Sequence, residues 1–76
     1  MNQQENYLQQ MLVTLRTRLL VMCASVGIAL EEADKALAAN DPGRAAAVIE
    51  SDAAIDELEN DIDDMALRLL ARTQPV

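Results

Sequence analysis

The sequence predicts an all-α chain folded as an antiparallel two-helix hairpin. Three observations carry that expectation: two long runs of apolar residues spaced by threes and fours, one compact break at Asn40-Asp41-Pro42-Gly43, and few of the residues that build sheets. Apolar residues make up 51% of the chain, yet Tyr7 is its one aromatic, with no Trp or Phe. A core of Ala, Leu, Ile, Val and Met suits thin helix packing, whereas a sandwich or barrel would need alternating β-branched and aromatic residues between frequent turns. Only two Gly and two Pro interrupt the chain, so its elements are few and long. Seventy-six residues allow one domain at most, near the size at which a single core gives marginal stability.

The first helix is expected over about residues 4–39. Leu8, Leu12, Leu15, Leu19, Met22, Val26, Ala29, Ala33 and Ala36 follow one another in steps of four and three, which is a heptad seam on one face. Met11, Leu20, Leu30 and Leu37 widen the stripe, as when a helix meets more than one neighbour. Gly27 lowers helix propensity but permits close approach of another backbone. Glu31 and Lys35 stand at the favourable i,i+4 spacing. Cys23, the one cysteine, cannot form an internal disulfide and reads as a small buried hydrophobe.

The break has recognisable chemistry. Asn40 suits a left-handed helix terminator, Asp41 an N-cap, and Pro42 the first helical position, where a missing N–H costs nothing. The turn is expected at residues 40–42 and the second helix at about residues 42–72. Its seam is Val48, Ser51, Ile55, Leu58, Ile62, Met65 and Leu69. Arg68 and Arg72 place cations in the last turn, where the helix dipole favours them, and Pro75 disfavours continuation beyond Thr73. So short a turn forces the helices antiparallel, pairing residues whose numbers sum to about eighty-one: Ala33 with Val48, Val26 with Ile55, Leu19 with Ile62 and Leu12 with Leu69. Leu20, Leu30, Leu37, Ile49, Leu67 and Leu70 fall partly outside the paired strip. The chain therefore calls for a third helix or a second copy, and two hairpins are expected to form a four-helix bundle, burying the strip meant for that helix.

The net charge of -7 argues against nucleic acid and against anionic lipid, because both require clustered Lys and Arg. The longest mostly apolar stretch, Leu19 to Leu30, is too short to span a bilayer. The opening MNQQENY lacks the basic lead and apolar run of a secretory signal. A cytoplasmic location without membrane insertion is expected.

The second helix is acidic. From Ala45 to Leu67 it has no base and eight acids, of which Asp52, Asp56, Glu59 and Asp63 step by four, three and four along one face beside the seam. Like charges at i,i+4 repel. One reading is a solvated face that keeps the chain soluble. The other is a row of hard oxygen donors able to ligate a metal. An EF-hand is excluded, because its Asp-rich loop and glycine are missing. Catalysis has little to draw on: there is no His, no Gly-rich loop after a strand, and the carboxylates share a convex face. The nearest enzyme candidate, a small all-helical chorismate mutase suggested by Leu15-Arg16-x-Arg18, would need cations where the second helix offers carboxylates.

From Leu19 to Val76 the sequence resembles the opening of the PhoU domain family. The likeness rests on Ala36-Leu37, on Asp41, on Ala45 to Ile49, on Asp52-x-x-Ile55-Asp56-x-Leu58-Glu59-x-x-Ile62, and on Leu67-x-Leu69-Leu70-Ala71-Arg72-x-Gln74-Pro75-Val76. Residues 1–18 fit only as a generic amphipathic helix. The resemblance implies three-helix bundles in a cytoplasmic, non-enzymatic regulator that links the phosphate ABC transporter to the sensor histidine kinase of the Pho system and represses that system when phosphate is plentiful. It implies an acidic E/D-x-x-x-D motif on helices two and three that binds iron or other metal clusters. Here that motif maps onto Asp52 and Asp56, with Glu59 as an additional ligand, which makes half a site. The family pattern continues into a third helix, so the chain is expected to be a truncated part of the bundle. The alternative is a structural or oligomerisation hairpin with neither metal nor catalysis.

Overall fold

A computed structural model describes residues 3–73 as two helices and nothing else. Helix α1 spans Gln3–Ala39 and helix α2 spans Pro42–Thr73. They pack against each other as an antiparallel hairpin, a rod 56 × 19 × 14 Å in extent. The closing Gln74-Pro75-Val76 segment and the opening Met1-Asn2 lie outside the described residues.

The bend forms as its residues dictate. Asn40 has φ of 50°, so it turns the chain left-handed, as Asn tolerates better than most residues. Its N–H donates to the Leu37 carbonyl at 3.2 Å, and the Asp41 N–H donates to the Ala36 carbonyl at 3.1 Å. Those two bonds make a Schellman motif, which occupies carbonyls that the end of α1 would otherwise leave open. Asp41 then caps α2: its Oδ1 accepts the Gly43 N–H at 2.9 Å and the Arg44 N–H at 3.3 Å. Gly43 leaves room for this cap, since a Cβ there would stand 3.3 Å from Asp41 Oδ1.

The α2 seam lies as the heptads place it. Val48, Ser51, Ile55, Leu58, Met65 and Leu69 are half-buried and Ile62 is buried. Ser51 sits in this strip with its hydroxyl satisfied, donating to the Val48 carbonyl at 2.7 Å. The α1 seam differs. Leu8, Leu15, Met22 and Ala29 are half-buried and Ala36 buried, but their companions are Met11, Arg18, Ser25 and Glu32. The expected companions Leu12, Leu19 and Val26 are 47%, 39% and 39% exposed. One partner helix covers one strip, and α1 is rotated so that these apolar residues flank the contact instead of filling it.

Three further expectations are corrected, the first two by this rotation. Cys23 is exposed rather than buried, because its heptad line (Cys23, Leu30, Leu37) lies outside the contact. Among the described residues, nothing lies within 4 Å of where a Gly27 Cβ would stand, so no neighbouring backbone approaches it there. Lys35 reaches Glu32 at 3.5 Å and makes no ion pair with Glu31. The predicted leftovers are indeed wet: Leu20, Leu30, Leu37, Ile49, Leu67 and Leu70 are 62–81% exposed. Among the described residues only Met11, Ala36 and Ile62 form a buried core. By length and composition α1 is also apolar enough to cross a membrane. The stretch from Leu19 to Leu30 understates this, because apolar character resumes beyond Arg16 and Arg18 at Met11, Leu12 and Val13.

Candidate functional site

Two grooves run along the hairpin, one on each face, and heptad spacing assigns the remaining side chains to them. Near the bend, Ala33 and Leu37 of α1 line a hollow with Ala45 and Ile49 of α2. Residues seven apart hold the same angular place on supercoiled helices. On α1 this carries the line from Ala33 to Val26, Leu19 and Leu12, and from Leu37 to Leu30. On α2 it carries Ala45 to Asp52, Glu59 and Ala66, and Ile49 to Asp56, Asp63 and Leu70. The acidic face thus has an apolar rail on α1 beside a carboxylate rail on α2. The second rail is bracketed by Ile49 at one end and Leu70 at the other.

Asp52, Asp56, Glu59 and Asp63 are all exposed. The ion pairs among the described residues join Lys35 to Glu32, Arg44 to Asp41 and Arg68 to Asp64, so none involves this rail. Hard oxygens at i and i+4 on a helix suit Mg, Mn, Ca or iron better than soft ions. Among the described residues, however, no three His, Cys, Asp or Glu side chains converge closely enough to enclose a metal ion. The donors fit one wall of a metal site, and a second wall would have to come from another helix. Sequence spacing found these acids; it could not say that they share a face with Leu12, Leu19 and Val26, because that depends on how α1 is rotated.

The family model for the PhoU domain matches residues 19–76, well over half of the chain. The chain belongs to the PhoU domain family. The match takes in the second half of α1, the bend and all of α2, including both rails near the bend. Residues 1–18 fall outside it, although α1 runs without interruption from Gln3. The PhoU domain belongs to regulators of phosphate signalling and is regulatory, not catalytic. No curated protein and no solved structure matches the chain.

Proposed function

We propose that this PhoU-family chain takes part in regulating phosphate uptake and Pho-system signalling, acting in the cytoplasm by protein–protein contact with the phosphate ABC transporter and its sensor histidine kinase. The observation that supports this reading is the PhoU-domain match extending over a hairpin whose acidic face is left open. A thin rod that exposes Leu12, Leu19, Val26, Leu30 and Leu37 on that face is built to be covered by another helix. Asp52, Asp56 and Glu59 supply half of a metal site on the same face, and the covering helix supplies the rest. A metal bound there would neutralise the carboxylate rail and tie the two helices together. Self-association into a four-helix bundle belongs to the same reading, since α1 has apolar residues on more sides than α2 covers.

A structural hairpin without metal is the second reading, favoured by the exposure of every acid on the rail. Titration of the 76-residue chain with Fe(III), Mn(II) and Mg(II), followed by calorimetry and thermal unfolding, separates them. Under the first reading cations raise the melting temperature and the Asp52→Asn/Asp56→Asn double variant abolishes the rise. Under the second, cations do nothing specific and the variant is neutral or slightly stabilising through relief of repulsion. The regulatory role is checked with a phosphate-starvation reporter in the source cell. Deleting the chain should raise reporter output at high phosphate, and unchanged output would reject the role.

A further inference from the structure

The face opposite the acid rail is also open, and its chemistry is different. A groove of about 320 Å³ runs there between the helices, lined by Ser25, Ile28 and Ala29 of α1 and by Ala47, Ala54 and Ile55 of α2. Ile28 is 62% exposed and Val21, one heptad away, 48%. Small residues at Ala47 and Ala54 let another helix come close. Bases gather on this side. Arg44 borders the groove, Arg18 and Arg68 line a hollow farther along with Asp61 and Asp64, and Arg72 stands over the Tyr7 ring. Lys35 follows Ile28 by one heptad. Five of the six Lys and Arg residues therefore lie along this face, leaving Arg16 alone near the acid rail.

We propose that a second copy of this chain packs antiparallel on the mixed-charge face, about a two-fold axis passing by Ile28 and Ala54. This rests on the self-association proposed above, but moves it from the strip meant for a third helix to the opposite face. Charge decides between the two faces. Two acid rails brought together would oppose like charges in a contact that excludes water, which costs several kcal/mol, whereas the mixed-charge face is complementary to itself. Arg44 and Asp64 lie ten residues either side of Ala54 on α2. Inverting the rod about that point sets Arg44 of one copy over Asp64 of the other, and the converse, as an isologous contact requires; the exposed pairs that these residues make within the chain, Arg44 with Asp41 and Asp64 with Arg68, are weak enough to be exchanged or shared there. Lys35 and Asp61 lie seven residues from Ile28 and Ala54 at opposite ends of the same span, and they meet diagonally. Parallel packing would instead stack Arg44 on Arg44. A rod 56 Å long and 19 Å wide, overlapped about this axis, offers a footprint close to the roughly 800 Å² per partner of a stable interface. The acidic face stays free for the helix and metal it is proposed to take.

The experiment uses the 76-residue chain with Cys23→Ser to remove the native thiol. Ile28→Cys, beside the axis, should form a disulfide-linked dimer on mild oxidation, and Leu30→Cys on the acidic face should not. Analytical ultracentrifugation should show a dimer whose dissociation constant rises at least about tenfold with Ile28→Asp and little with Leu30→Asp. Arg44→Glu should weaken the dimer, and adding Asp64→Arg should recover most of the loss. Cross-linking through Leu30→Cys alone would overturn this geometry while leaving self-association standing. A monomer at every concentration would overturn both. Association only with vesicles of phosphatidylcholine and phosphatidylglycerol would show that α1 is covered by lipid, and would overturn the proposal as well.

Discussion

The guanidinium of Arg72 stands 4.5 Å from the centre of the Tyr7 ring, at the end of the hairpin farthest from the bend. Their numbers sum to seventy-nine, close to the register set at the turn, so the two helices stay in step over their whole described length. A cation over an aromatic face is worth about 0.5–1 kcal/mol when exposed. Tyr7→Leu should therefore cost stability of that order and speed hydrogen exchange near residues 5–10 and 68–73, with the bend unchanged. Uniform exchange along both helices would contradict this.

Asp41 holds the bend by accepting two N–H groups at the start of α2. Removing an N-cap costs about 1 kcal/mol. Asp41→Ala should lower the urea midpoint accordingly, and Asp41→Ser or Asp41→Asn should recover most of the loss. Equal losses in all three variants would assign the effect to charge and not to capping.

Gly27 has open space where a side chain would stand. Replacing glycine by alanine within a helix gains roughly 1 kcal/mol when nothing is displaced. Gly27→Ala should raise the melting temperature of the chain. A fall would mean that another backbone lies against Gly27 in the assembled protein.

Ile62 and Leu37 should separate contact from surface. Ile62 is 7% exposed and Leu37 is 81% exposed. Ile62→Ala should cost about 2–3 kcal/mol, the low end for a buried aliphatic because so thin a rod can close around the gap. Leu37→Gln should change stability by less than about 0.5 kcal/mol. Chemical unfolding of both variants provides the check, and a large loss from Leu37→Gln would show that the acidic face is covered by the chain's own second copy.

The carboxylate rail should respond to salt. Asp52, Asp56, Glu59 and Asp63 repel along one helix edge without a basic partner, so added KCl should stabilise the chain modestly before any multivalent cation is present. Asp52→Asn/Asp56→Asn should reduce that response. A salt response identical in the variant would place the repulsion elsewhere on α2.

The residues alone determined the two helices, the bend and the α2 strip. Asn40, Asp41 and Pro42 each have a local chemistry that needs no distant partner, and the α2 seam separates apolar from acidic residues so sharply that one rotation fits. Helix α1 has no such contrast. Leu12, Leu19 and Val26 on one side, and Val21 and Ile28 on the other, are nearly as apolar as the strip between them, so its periodicity supports more than one rotation. Packing chose the one that sets Met11, Arg18, Ser25 and Glu32 toward α2. That choice exposes Cys23, aligns the leucine rail with the acids and gathers the bases on the opposite face. Local hydrogen bonding fixes where a helix starts and stops, but which side of an apolar helix is covered depends on the shape and charge of what lies against it.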